Sequence, residues 1–363
     1  MIRTGNRSGG APSRLGLFLP FILFGVTILI YGAYWLWMSG EIRKAGENWI
    51  AEQEAEGYQI THQGIEVNGF PFRFTVNIAE PDITAPPEDG GWHARFPVLS
   101  ASALPYNINH WILAFGAPAR FDLPGENGPA RYLAEAQTAR LSLAGRQNST
   151  IRIGAELAGA RLVDEASGAV VVEALDSLIL SGLIEEDDRL RLRLEITGLT
   201  LGEDQLDAAT LDAFGNRAEI LRLDAALTEW SALAADANLA RWSSEGGRLE
   251  IAGTQMEWGA ARLTGDGSLG VDAQLRPEGR LSVMVGEPDT LVASLVRAGT
   301  LSADQGEAVR LALMMAPRRE GGVALPFRLQ QGGVFLGPAR IGDVGPLAGP
   351  LPAPPDLPEL PQE

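Results

Sequence analysis

Three histidines, His62, His93 and His110, are the natural acid–base candidates in a chain of 363 residues that contains no cysteine. No two of them share a helical face at the HExxH spacing that would hold zinc. Without cysteine there is no thiol nucleophile, no disulfide and no thiolate metal site. That absence fits an oxidising or a reducing compartment equally well. Serine chemistry has no signature either, since neither GxSxG nor SxxK occurs. Residues 185–188, Glu-Glu-Asp-Asp, carry enough charge for a hard cation but lack EF-hand spacing and its bidentate glutamate, and they read as a solvated turn. Gly265-Asp-Gly-Ser-Leu-Gly270 matches GxGxxG. A dinucleotide site needs a strand before that motif and a helix after it to receive the pyrophosphate. Here the residues that follow alternate as a strand, so the motif reads as a glycine-rich hairpin. Asn148-Ser-Thr150 is a glycosylation sequon only in a host that modifies such sites. The expectation is a non-enzymatic protein with no cofactor and no bound metal.

The densest cluster of recognition-type residues is Gly64-Ile-Glu-Val-Asn-Gly-Phe-Pro-Phe-Arg-Phe74. Asn68-Gly69 suits the positive φ of a type I′ hairpin turn. Pro71 holds Phe70 extended, and Phe72, Phe74, Val76 and Ile78 alternate with polar residues as a half-buried strand. The aromatics can fill a sheet core. They can also line or gate an apolar groove, which makes Gly69, Phe70, Pro71, Phe72 and Phe74 the candidate site.

Around this hairpin the chain must supply a scaffold. Residues 15–38 carry no charge, and as a helix they span about 36 Å, enough for a hydrocarbon core of about 30 Å. Tyr31, Tyr34, Trp35 and Trp37 collect at the C-terminal end as an interfacial belt. A signal peptide would be shorter, with small residues where these bulky ones stand, so an uncleaved anchor is expected. Arg3, Arg7 and Arg14 precede the span. The positive-inside rule therefore predicts a cytoplasmic N-terminus (1–14), with the bulk exported.

Residues 39–57 read as a separate juxtamembrane helix with Ile42, Ala45, Trp49 and Ile50 on one face and Gly57 as its cap. Residues 81–130 are rich in proline, glycine and aromatics and show no clear strand edges. From 137 onward strands recur, as in Leu141/Leu143, Ile151/Ile153, Leu190/Leu192/Leu194, Leu221/Leu223, Leu249/Ile251, Leu269 to Leu275 and Leu281/Val283. Spacers such as Gln147-Asn148, Ser167-Gly168 and 185–188 separate them. Evenly spaced strands without helices between them predict antiparallel pairing. Asp289 is expected to cap a helix over 290–298, and Ser302 with Gln305 a second helix to about Ala316. A last hairpin turns at 331–333. Residues 346–363, with seven prolines, are expected to be a disordered tail.

The net charge is −17. With three arginines and no acid in 1–38, the rest holds 29 − 3 = 26 basic and 46 acidic residues, or −20. So acidic a domain repels nucleic acid and anionic headgroups.

The span ending in Tyr31-Gly-Ala-Tyr-Trp-Leu-Trp37, then Gly57-Tyr58, Gly64-Ile-Glu-Val, Gly69-Phe-Pro-Phe-Arg73 and the closing Gly332-Gly-Val-Phe-Leu-Gly-Pro338 together resemble the alphaproteobacterial DUF2125 family. The family has no assigned activity. The resemblance therefore implies place and architecture and carries over no catalytic residue. An anchor followed by exported Leu-x-Leu strands is also similar, at fold level, to AsmA-like envelope proteins linked to lipid handling.

The sequence thus predicts an inner-membrane protein whose residues 58–345 form a β-dominated domain, a large curved antiparallel sheet with a few helices, outside the cytoplasm. The expected partners are the membrane and a lipid acyl chain or hydrophobic segment. The alternatives are an envelope scaffold binding another membrane protein through a sheet edge or the tail, and a hydrolase using carboxylates paired by the fold.

Overall fold

In the computed structural model, residues 15–125, 128–145, 150–185, 187–235, 238–319 and 321–347 are described. The basic N-terminus, Asn148 and Ser149 of the sequon, the Gln147-Asn148 spacer and nearly all of the proline-rich tail lie outside them.

Helix α1 (Leu15–Ala55) is unbroken over 41 residues. The expected span and juxtamembrane helix are therefore one rod, on the order of 60 Å long. Nothing between residues 38 and 55 stops a helix: Gly40 and Gly46 are tolerated, and the Ser39 hydroxyl donates back to the Leu36 carbonyl at 2.8 Å. Gly57, at φ +100°, ends the rod as expected, with the Tyr58 amide donating to the Gln53 carbonyl. Of the proposed amphipathic face only Ile50 is fully buried, while Trp49 remains exposed. Among the described residues, this is the one helix long and apolar enough to cross a membrane.

The remainder is one open antiparallel sheet, with 21 strands among the described residues. The first nine strands are β1 (Gln59–Thr61), β2 (Gly64–Asn68), β3 (Phe74–Ala79), β4 (Asp82–Thr84), β5 (His93–Arg95), β6 (Val98–Leu104), β7 (Asn107–Phe115), β8 (Ala119–Leu123) and β9 (Ala130–Glu135). The stretch 81–130, irregular by sequence, thus holds strands β4 to β8. β4, β5 and β8 have only three to five residues, too few to show a period, and β5 and β8 pair across the intervening β6 and β7. Next come β10 (Thr138–Ala144), β11 (Ile151–Asp164), β12 (Val170–Ile184), β13 (Arg189–Leu201), β14 (Arg217–Thr228) and β15 (Leu249–Trp258). The last six are β16 (Ala261–Val271), β17 (Pro277–Val285), β18 (Arg318–Arg319), β19 (Gly322–Gln330), β20 (Gly333–Leu336) and β21 (Ala339–Asp343).

The long strand β11 is the branch point. Its first half pairs with β10, which continues through β7, β6 and β3 to β2. Its second half pairs with β9, which continues through β8, β5 and β4 to β1. Phe96 contacts both Phe115 and Phe121 at 5.6 Å between ring centres and ties the two arms together. On the other side of β11 a meander runs through β12, β13, β14, β15, β16, β17, β19, β20 and β21. Register shifts at Asp224/Ala225 and Ile251/Thr254 are bulges, which add curvature to the sheet's twist.

Several sequence expectations are corrected. Residues 265–270 lie inside the single strand β16 and do not form a hairpin. Gly267 is there because the β17 backbone comes close: a Cβ would stand 2.3 Å from the Arg280 carbonyl oxygen. Ala273 and Leu275 sit in the β16–β17 turn, with Leu275 at φ +59°, beyond the strand they were expected to extend. The penultimate helix is Pro288–Arg297 (α5), with proline at its first position and no side-chain cap; Asp289 lies in the first turn. The capping box of Ser302 and Gln305 opens Ala303–Met315 (α6) as expected. Three short helices were not foreseen: α2 (Ala208–Phe214), α3 (Trp230–Ala234) and α4 (Leu239–Ser244). They lie between strands as inserts of too few residues to show a 3.6-residue period.

Candidate functional site

The strand register places an apolar row across the sheet. Phe74 opposes Ala103, and the line continues through Trp111, Leu143, Ile153, Gly182, Leu192, Ala225, Ile251, Gly267, Leu281, Phe327 and Leu336, one residue from each of thirteen strands. Directly opposed residues point to the same face, so this is one surface, on the order of 60 Å across at the usual strand spacing. A parallel row runs Val76, Ala101, Leu113, Leu141, Ala155, Leu180, Leu194 and Leu223. The other face is polar, with cross-strand pairs such as Arg222–Glu195 and Arg189–Glu250, each at 2.9 Å.

Burial along this face is uneven. Leu143, Ile153, Leu192, Leu194, Leu223, Ile251 and Leu281 are only half-buried. A second layer packed about 10 Å away would bring such leucines close to zero exposure. Half burial is what neighbours within one sheet supply. Full burial is local: on the middle strands it is reached at Leu190 and Ala225, and otherwise where helices pack on the sheet. At the far end Val323 packs with Val292 and Leu313 of the α5–α6 pair. At the opposite ends of the strands, Trp242 of α4 is 3% exposed and donates to the Thr228 carbonyl at 2.7 Å.

At the near end the row begins under α1. Phe74 is 0% exposed, and its ring stacks on Trp35 at 5.5 Å. Trp35 is itself buried. It meets Phe70 edge-on at 5.4 Å, and its indole N–H donates to the Arg73 carbonyl at 3.3 Å. One helical turn earlier, the Tyr31 hydroxyl donates to the Pro71 carbonyl, and its ring lies 6.3 Å from Phe70. The anchor aromatics thus divide. Tyr31 and Trp35 grip the hairpin, whereas Tyr34 and Trp37 pair with each other at 6.5 Å and Trp37 remains 61% exposed.

The hairpin differs from the two-residue turn expected at Asn68-Gly69. Asn68 still pairs with Thr75, and the loop comprises 69–73 with both the Phe72 and Arg73 amides donating to the Gly69 carbonyl. Gly69 does take positive φ, +103°, and a Cβ there would strike the Arg73 carbonyl oxygen at 2.7 Å. Phe72 falls in this loop, outside β3, and is 79% exposed. Of the five hairpin candidates, only Phe74 belongs to the apolar row.

The histidines occupy three different settings. His62 is exposed between β1 and β2. His110 Nε2 lies 2.9 Å from the Ser142 hydroxyl on the polar face, and no carboxylate bonds its other nitrogen among the described residues. His93 joins a cluster that sequence alone did not reveal, because its members lie 11 and 29 positions apart: Nε2 is 2.6 Å from Asp82 and Nδ1 is 3.0 Å from Asp122. Arg95 donates to the second Asp82 oxygen at 2.7 Å. The Asp122 hydrogen bond, against some burial and with help from Asp82, raises the His93 pKa above the usual histidine value. Burial pushes Asp82 up, but the bonds from His93 and Arg95 and their charges outweigh it and hold Asp82 below the carboxylate range. With both ring nitrogens committed, His93 clamps β4, β5 and β8 together and has no lone pair free for a substrate proton.

No group of three or more His, Cys, Asp and Glu side chains placed to hold a metal occurs among the described residues. A depression of about 290 Å³ between Gln255, Arg262 and Met284 is crossed by the exposed Arg262–Glu287 ion pair at 2.7 Å.

A family model described as an uncharacterised protein conserved in bacteria (DUF2125) matches residues 35–345. The chain belongs to the DUF2125 family. The matched segment opens on Trp35, the helix residue stacked on Phe74, and closes beside Val344, whose amide donates to the Gly332 carbonyl. The C-terminal half of α1 is thus part of the family's domain. No curated protein and no solved structure matches, and the expected likeness to AsmA-like proteins is not shown.

Proposed function

We propose that this protein is a non-enzymatic, membrane-anchored envelope protein that holds a lipid acyl chain or similar hydrophobic segment against the apolar face of its sheet. In this reading α1 crosses the inner membrane with its arginine-bearing end in the cytoplasm and the sheet stands in the periplasm. The observation that carries it is the apolar row from Phe74 to Leu336, whose large side chains Leu143, Ile153, Leu192, Ile251 and Leu281 are only half-buried. An uncovered leucine surface of this length is costly in water, and a hydrophobic ligand removes that cost. The row also begins at the helix, so a chain leaving the bilayer meets apolar surface from its first contact.

The test uses neighbouring residues on opposite faces. A photo-crosslinking amino acid at Leu194 should form lipid adducts in membranes, detectable by mass spectrometry, and the same group at Arg193 should form none. Equal labelling at the two positions, or none at either, would refute the groove.

A further inference from the structure

The hairpin tip packed on α1 and the tip next to it in the sheet are both apolar. The β2–β3 loop exposes Phe70 (53%) and Phe72 (79%). Its neighbour is fixed by register: Phe74 opposes Ala103, and β6 turns into β7 directly after Leu104, which pairs with Asn107. The β6–β7 tip is therefore Pro105 and Tyr106, at the same end of the sheet as the Phe loop. Leu104 is 40% exposed and Tyr106 83% exposed.

Charge sets these tips apart from the rest of the chain. Residues 96–119 contain no Asp, Glu, Lys or Arg, and residues 67–79 contain only Arg73, in a protein with 46 acidic residues. Soluble hairpin tips are normally polar. Height is set by the helix. The Tyr31 hydroxyl bonds Pro71, and Tyr31 lies seven residues, or about 10 Å, inside the C-terminal end of the uncharged segment 15–38. The Phe loop is thus held alongside helix residues that themselves lie within the apolar stretch, at the level of the aromatic belt.

We infer that the β2–β3 and β6–β7 tips are immersed in the membrane beside α1, so that the domain meets the bilayer through the helix and two hairpin tips together. Phe70, Phe72 and Tyr106 enter the boundary between headgroups and acyl chains, as apolar faces of interfacial elements do. Arg73, one residue beyond the loop's aromatics, reaches the phosphate level. The partner is the phospholipid bilayer itself. The inference rests on reading α1 as a membrane span, and it deepens the proposed function by placing the start of the apolar row at the lipid surface.

The cysteine-free chain allows single labels without a background thiol. Full-length protein carrying Phe72→Cys or Tyr106→Cys, spin-labelled in nanodiscs of phosphatidylethanolamine and phosphatidylglycerol, is compared with two references. Leu29→Cys reports the span, and Ile179→Cys, 48% exposed on the polar face, reports water. All four sites are exposed, so the fold is retained. The expected result is that labels at 72 and 106 collide more with oxygen and several-fold less with a water-soluble nickel chelate than the label at 179. Nickel accessibility equal to that at 179, with 29 still in lipid, overturns the inference and leaves the span intact. Low accessibility to both reagents indicates a protein contact and overturns it too. If 29 itself is in water, the span reading fails and the immersion of the tips fails with it.

Discussion

Replacing Trp35 by alanine should uncouple the helix from the sheet. A buried tryptophan covers about 200 Å², which at about 25 cal/mol per Å² is an upper bound of about 5 kcal/mol, reached where the opened junction meets water rather than lipid. Measured truncations of buried tryptophan cost about 3–5 kcal/mol. The indole stacks on Phe74, meets Phe70 and donates to the Arg73 carbonyl, and all three contacts are lost together. Every 1.4 kcal/mol is a factor of ten, so opening of the junction should rise by roughly a hundredfold or more. Trp37, two residues on and 61% exposed, is the control, and its alanine variant should change stability by less than about 0.5 kcal/mol. Hydrogen exchange read by mass spectrometry on peptides covering 64–79, in nanodiscs, measures that opening. Protection should collapse in Trp35→Ala and hold in Trp37→Ala. Similar changes in the two variants, or less than a tenfold change in the first, would mean that the aromatic junction is not what couples helix to sheet.

The His93 clamp makes the β4–β5–β8 arm pH-dependent. Because its folded pKa is raised, His93 contributes stability in full below the unfolded value near 6.5 and loses it as pH rises through the raised value. Asp82, lowered in the fold, contributes above about 3.8, its unfolded value, and loses that as pH falls through its lowered one. The urea midpoint should therefore fall from pH 6 to 8.5 in the native chain, and His93→Gln should flatten that limb and also shrink the acid limb, because His93 supplies the largest of the interactions that lower Asp82. Gly267→Ala should destabilise by about 1–3 kcal/mol, because the new methyl meets the Arg280 carbonyl across the strand pair; an unchanged thermal midpoint would show that β16 and β17 can part at no cost.

The repetitive parts of the fold were legible and the inserted parts were not. Leu190, Leu192 and Leu194 alternate with arginines along one strand, so period alone reveals both its conformation and its two faces. The Ser302–Gln305 box was read the same way, because a cap is a local bond between residues three apart. The long apolar helix was equally plain, since lack of charge over 24 residues is a one-dimensional property. What the sequence could not show was anything set by register. That Phe74, Ile153 and Leu281 share one row depends on pairings between strands dozens of residues apart. The His93 cluster needs Asp82 and Asp122 brought in by two different strands. The aromatic hairpin was recognised as special. Its division into a core residue, Phe74, a helix contact, Phe70, and an exposed tip, Phe72, depends on α1, whose docking no local pattern encodes.

From β10 to β17 each strand pairs with the one that follows it in sequence. Such a chain closes only short loops as it folds, and its strands can zip on one after another. Its cohesion is a sum of nearest-neighbour terms, as in a solenoid, rather than one all-or-none core. One end is clamped by Trp35 and Phe74, while the other finishes at β21, which pairs with β20 alone. The molecule is therefore a ribbon fixed at its root, free to fray from its tip without disturbing the strands beside α1.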